Sequence, residues 1–66
     1  MMVRWLINRW HARQRAIDLE MLWPSCKKYA DNLGTAKAAF AVHAFNDKAW
    51  LCLGEKEIIR QIERLH

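Results

Sequence analysis

A single proline, Pro24, lies in the middle of a stretch from Val3 to Leu33 whose apolar side chains recur at helical spacing. Proline inside a helix removes a backbone donor and clashes with the carbonyl four residues earlier, here at Glu20. The stretch is therefore expected to form a helix that either kinks at Pro24 or breaks there, with Pro24 opening a second helix. No segment alternates with a period of two, so strands are not expected.

Turn and cap residues divide the remainder of the chain. Gly34 is suited to close the first helical unit, and Thr35 is a candidate N-cap for the next helix. Asp47 is expected to cap a short turn over residues 48–53, and Gly54 permits a non-helical entry to the last helix. The sequence thus predicts an all-α fold, a compact bundle of three to four helices in one domain over residues 1–66. The predicted helices are about 3–22, 24–33, 36–46 and 55–65.

The faces of these helices predict the core. The central helix is apolar nearly all round, which is typical of a helix buried on most sides. The last helix is amphipathic, with Ile58, Ile59, Ile62 and Leu65 facing one way. Placing residues of the first unit at about 100° intervals puts one apolar stripe along its whole length, and we expect this core stripe to be buried. Its members are Trp5, Ala12, Ala16, Leu19, Trp23, Cys26, Ala30 and Leu33.

A second apolar stripe lies on another side of the first helix and stops at Pro24. The predicted core does not need it, so we expect it to be exposed, and exposed apolar patches of several hundred Å² usually mark interaction sites. We expect it to bind protein, either a second copy of the chain or a larger protein that the chain scaffolds or inhibits, with Trp10 as the anchor. This interaction stripe consists of Val3, Leu6, Trp10, Ile17 and Met21.

The positive charge of the chain is concentrated near its beginning. The net charge is +4, and the first fifteen residues hold four arginines and no acid. Arginines interleaved with tryptophans could bind phosphates and stack on unpaired bases, so nucleic-acid binding is the alternative function. The arginines do not form one stripe, however, and Arg9 is also placed to stack on Trp5 one turn away. The candidate anion-binding residues are Arg4, Arg9, Arg13 and Arg15.

No motif for chemistry is recognisable in the chain. No pair of cysteines or histidines has a metal-ligand spacing, no glycine-rich loop is available for phosphate, and Ser25 has no nucleophile context. We expect no catalytic residue, no metal, no cofactor and no small-molecule substrate. His43 is expected to be a neutral imidazole that bonds to a carbonyl or to Asp47, one turn on.

The cellular setting follows from what the sequence lacks. No segment approaches the roughly 20 apolar residues that span a bilayer, and no secretory signal is visible. A cytoplasmic protein without a membrane span is therefore expected. In a reducing compartment Cys26 and Cys52 would be free thiols, and their apolar neighbours predict that both are buried.

Overall fold

In the computed structural model, residues 2–66 are described, and they form a small all-α bundle without a strand, as predicted. The helices are α1 (Met2–Ile17), α2 (Trp23–Tyr29), α3 (Leu33–Ala44), α4 (Lys48–Leu51) and α5 (Glu55–Glu63). Between α1 and α2 the chain stays helical through a π segment, Asp18–Leu22.

The first helix does not break at Pro24. Leu22 (φ −76°, ψ −41°) and Trp23 (φ −60°, ψ −46°) both keep right-handed helical dihedrals. The π segment ends immediately before the proline, and the N–H of Trp23 bonds to the carbonyl of Asp18, five residues earlier. We attribute the continuity of the helix to this wider turn. It shifts the backbone, so that the carbonyl facing the proline ring is no longer the one that an α-helix would place there.

The start of α3 differs from the sequence prediction. Asn32, in an extended conformation, is the N-cap, and its Oδ1 accepts a hydrogen bond from the backbone N–H of Thr35 at 2.8 Å. Thr35 and Gly34 therefore belong to the first turn of α3 and do not cap or close a helix. The sequence allowed Gly34 and Thr35 to lie either at a helix boundary or inside a helix. Because the side chain of Asn32 caps α3, both residues lie inside it.

The next two boundaries agree with the prediction. Asp47 caps α4, since its Oδ1 accepts from the N–H of Ala49 at 2.8 Å. Gly54 precedes α5 at φ 86°, a conformation that side-chain-bearing residues rarely adopt. The two helices end earlier than expected, at Leu51 and Glu63.

The core lies around one face of α3. Phe40 is fully buried, with Trp23 and Trp50 packed edge-on against its ring at centroid distances of 5.9 and 5.2 Å. The expectation that α3 is buried on most sides is wrong, because Val42 is 66% exposed and Phe45 is 38% exposed. A bundle this small has too few elements to surround a central helix. The buried core residues are Trp23, Ala36, Phe40, Ala44, Ala49, Trp50, Ile58 and Ile62.

The predicted core stripe of the first helix is only half correct. Trp23 is buried and Leu19, Cys26 and Ala30 pack against the core, but its earlier members Trp5, Ala12 and Ala16 are exposed, as is Leu33 at the start of α3. At 1.5 Å per residue, the helical run from 2 to 29 is about 42 Å long, and the molecule measures 45 × 22 × 18 Å. The bundle is too narrow to cover a helix of this length.

Residues 3–10 are all exposed and form an arm that carries no core residue. The helix docks through a polar face instead, where His11, Gln14 and Arg15 are half-buried and Asp18 is buried. Nη1 of Arg15 donates to the carbonyl of Ala49 at 2.8 Å and thereby ties α1 to α4.

The cysteines are both free thiols, on α2 and at the end of α4. Cys26 is half-buried, whereas Cys52 is exposed, contrary to the expectation that both are buried. The Sγ of Cys52 lies 2.8 Å from Nη1 of Arg15 and 2.9 Å from the carbonyl of Ala49, so its neighbours are polar. No helix in the described part of the chain combines the length and apolar character needed to cross a membrane.

Candidate functional site

The interaction stripe is exposed over its whole length. At about 100° per residue its side chains lie roughly a quarter turn from the polar face that docks on the bundle. Trp10 borders the bundle, since it lines a cavity together with Val42. Ile7, on the arm, is 47% exposed and extends the apolar surface toward the bundle. Individual exposed apolar residues are common, but five along one side of one helix are not, even though Arg13 and Gln14 interrupt the row between Trp10 and Ile17. The exposed fractions are Val3 69%, Leu6 55%, Trp10 61%, Ile17 38% and Met21 70%.

Trp10 occupies the point where the arm leaves the bundle. Its ring lies 5.6 Å from that of His11, and both line an open cavity of about 520 Å³ together with Val42. Trp10 also lines a smaller cavity of about 290 Å³, together with Leu6, Arg9 and Arg13. An aromatic side chain between two depressions offers apolar area and shape to a partner.

The four arginines occupy different environments. Arg9 stacks over Trp5 at 5.4 Å, as predicted. Arg15 is half-buried and engaged with Ala49 and Cys52, so it is a structural residue of the α1–α4 contact. Arg4 and Arg13 are exposed. The set is therefore not one basic patch, and Arg15 is the member least able to meet an anion.

A polar cluster that the sequence analysis did not identify surrounds Asp18. This carboxylate is 6% exposed, and its Oδ2 accepts from Nε1 of the fully buried Trp50 at 2.9 Å. Nε2 of His43 lies 3.2 Å from the same oxygen, and Gln14 donates to Oδ1 at 3.3 Å. Burial of a charged group is stabilising only when such partners satisfy it. The π segment begins at Asp18, so the change in helical winding coincides with the cluster.

His43 joins this cluster to α4. Its Nε2 lies 3.3 Å from Oδ2 of Asp47, the contact that the sequence predicted from their spacing of one turn. The contact between Asp18 and His43 was not predictable in the same way. Asp18 lies 25 residues before His43, and the helical pattern places it on a polar face of the first helix. The one available signal was an acid in the middle of a helix flanked by apolar positions.

The comparisons with known proteins add no relative. Neither models of protein families, nor curated proteins, nor solved structures produce a significant match to this chain.

Proposed function

We propose that the protein is a small, non-enzymatic protein–protein interaction module whose contact surface is the interaction stripe on the first helix. The observation that carries this proposal is the exposure of all five stripe residues, Val3, Leu6, Trp10, Ile17 and Met21, on a helix that projects beyond its own core. An amphipathic helix with its apolar face free is a common recognition element, since the face is buried when it enters a groove or meets another helix.

A second copy of the chain is the first partner to consider. A two-fold axis perpendicular to the first helices would pair them in opposite directions, so that Val3 and Leu6 of each lie near Met21 of the other. The same reversal brings the arginines of one arm toward Glu20 of the other copy, the exposed acid next to Met21. Opposite charges at the rim favour this orientation over the parallel one.

The expected dimer is weak. Stable complexes bury about 800 Å² on each partner, and an apolar stripe on one helix offers several hundred Å². Association is therefore expected at micromolar or higher concentration. The small chain would gain stability from it, because a 66-residue fold buries a smaller fraction of its surface than a larger one.

Two matched tryptophans test the stripe. Trp10 and Trp5 lie on the same arm and are 61% and 59% exposed, but Trp5 is on a different side of the helix. By sedimentation equilibrium over a wide concentration range, Trp10→Glu should be monomeric where the wild type dimerises, and Trp5→Glu should dimerise like the wild type. Circular dichroism should be unchanged in both, since neither ring contributes to the core.

Several outcomes separate the possible partners. A wild type that stays monomeric at millimolar concentration would eliminate self-association. The stripe would then be tested against a larger protein, and Trp10→Glu should abolish that binding while Trp5→Glu retains it. Equal loss for both variants would show that the whole arm matters rather than the stripe.

Nucleic-acid binding is the second candidate, and the charge of the first helix favours it. Arg4, Arg9 and Arg13 are exposed on a helix whose sixteen residues contain no acid, although Arg9 lies over the ring of Trp5. Affinity for single strands should fall steeply with salt and be lowered by Arg9→Ala combined with Arg13→Ala. A flat salt dependence, or equal binding by that double variant, would exclude it.

A further inference from the structure

The side chains of Asp18, His43 and Asp47 converge from three parts of the fold. Asp18 belongs to the π segment, His43 to α3, and Asp47 to the loop that caps α4. One ligand atom from each lies within 4.8 Å of the other two. Contrary to the expectation of no metal, which rested on spacing along the sequence, we propose that these three residues bind a divalent transition-metal ion, with Zn²⁺ as the best match, through Nε2 of His43 and one carboxylate oxygen from each aspartate.

The distances suit a tetrahedral ion. Nε2 of His43 is 3.2 Å from Oδ2 of Asp18 and 3.3 Å from Oδ2 of Asp47. Zinc bonds to nitrogen and oxygen of about 2.0–2.1 Å place neighbouring ligand atoms of a tetrahedron roughly 3.3 Å apart. The third pair, one carboxylate oxygen from each aspartate, lies within 4.8 Å, so the ion would draw these two side chains together at most modestly.

The two carboxylates are already oriented for this role. Oδ1 of Asp47 accepts the capping N–H of Ala49 at 2.8 Å, and Oδ1 of Asp18 accepts from Gln14. Each aspartate therefore turns its other oxygen, Oδ2, toward His43. Hydrogen bonds that hold a ligand from behind are the usual support of metal sites. Nε1 of Trp50 donates to Oδ2 of Asp18, the proposed ligand atom itself, so the ion would take the remaining lone pair of that oxygen.

Hydrogen bonds from His43 alone do not satisfy both carboxylates of the cluster. Nε2 of an imidazole carries at most one hydrogen, which points along one line and can bond well to one of the two carboxylates. Two converging carboxylates also repel each other, and Asp18 is almost without solvent to reduce that repulsion. A dication satisfies all three ligand atoms and cancels both negative charges.

The open side of the cluster could supply the fourth ligand position. His43 and Asp47 line the cavity of about 520 Å³ beside Trp10, so water can reach them. Zinc with three protein ligands keeps its remaining position for water or another small ligand. His11 lines the same cavity, and its buried Nδ1 has no hydrogen-bond partner among the described residues.

The proposal is tested with the whole chain stripped of metal by a chelator and titrated with ZnCl₂ in a calorimeter. One ion per chain should bind, and the Tm should rise by roughly 10–20 °C once free Zn²⁺ exceeds its Kd a hundredfold. With CoCl₂ as the probe, the visible spectrum should show tetrahedral cobalt without a sulfur-to-cobalt charge-transfer band, since neither cysteine belongs to the cluster.

Two variants remove ligands while sparing the fold. His43→Gln keeps an amide that can donate to the carboxylates, and Asp47→Asn keeps the oxygen that caps Ala49. Each should lower Zn²⁺ affinity about tenfold or more, because the loss of even an outer-shell partner costs that much. His66→Gln, which removes an exposed histidine outside the cluster, is the matched control and should bind like the wild type.

The remaining outcomes overturn the proposal. A wild type without saturable Zn²⁺ binding, or equal affinity in His43→Gln, Asp47→Asn and the control, would show that the cluster is only a hydrogen-bonded network. A cobalt spectrum with a sulfur band would assign the ion to cysteine instead. None of these results bears on the interaction stripe, so the metal site and the proposed function fail separately.

Discussion

Asp18 is the one buried charged side chain among residues 3–66, whose burial the structure describes. It accepts from the indole of Trp50, and its oxygens also face His43 and Gln14. The indole is fully buried, so no water replaces the carboxylate as its hydrogen-bond acceptor if the carboxylate is removed. The contact between the first helix and the bundle therefore depends on a polar residue where an apolar one is usual.

Asp18→Ala should be strongly destabilising because it leaves the N–H of Trp50 buried without an acceptor. We expect a loss of about 2 kcal/mol or more in the free energy of unfolding. Urea denaturation in the presence of a chelator measures this without any contribution from bound metal. Asp31→Ala, at an exposed position, is the control and should change stability by less than about 0.5 kcal/mol. Equal midpoints for the two variants would contradict the role given to Asp18.

The cap of α3 provides a test of the corrected helix boundary. Asn32→Ala removes the oxygen that accepts from the N–H of Thr35 and should cost about 1 kcal/mol. Thr35→Ala removes no cap and replaces a residue of lower helix propensity, so it should be neutral or slightly stabilising. Thermal unfolding followed by circular dichroism compares the two. A larger loss of stability in Thr35→Ala than in Asn32→Ala would show that Thr35 is the cap.

The two phenylalanines of the α3 region test whether that helix is buried on one face. Phe40 is enclosed by Trp23 and Trp50, and Phe40→Ala should cost about 3–5 kcal/mol. That is a large share of the stability of a small domain, so partial unfolding at 25 °C is expected. Phe45, at the end of α3, is 38% exposed, and Phe45→Ala should cost less than half as much. Similar losses in urea denaturation would mean that both faces are packed.

The molecule as a whole divides into a packed bundle and an arm with no core contacts. Local opening is easiest where few apolar contacts oppose it. In hydrogen exchange at low protein concentration, amides of residues 3–10 should therefore exchange fastest among the helices, and amides near Phe40 and Ile58 slowest. Uniform protection along the first helix would contradict this division.

The same measurement at high concentration examines the arm in the proposed dimer. Pairing of two arms buries the interaction stripe and opposes fraying, so protection of residues 3–10 should rise with concentration in the wild type. It should not rise in Trp10→Glu. Protection of residues 3–10 that does not change with concentration in the wild type would indicate a monomer.

Local signals predicted a large part of the fold. The helical period, the Asp47 cap and the entry at Gly54 depend on neighbours within a few residues, and the structure has all three. Exposure of the interaction stripe was also predictable, from counting the apolar residues that a bundle of this size can use. The burial of Trp5, Ala12 and Ala16 was predicted wrongly, because a pattern on one helix does not show how much of its length the neighbouring helices cover.

By itself, the sequence determined that the chain is helical, where most of its helices lie, and that one side of the first helix is apolar without a core to cover it. Periodicity and caps depend on residues close together in the sequence and not on how the helices pack against one another. Only the tertiary structure decided that the first helix docks through Arg15 and Asp18, and that Asp18 meets His43. Such contacts join residues 25 or more positions apart, and their existence depends on where whole helices cross.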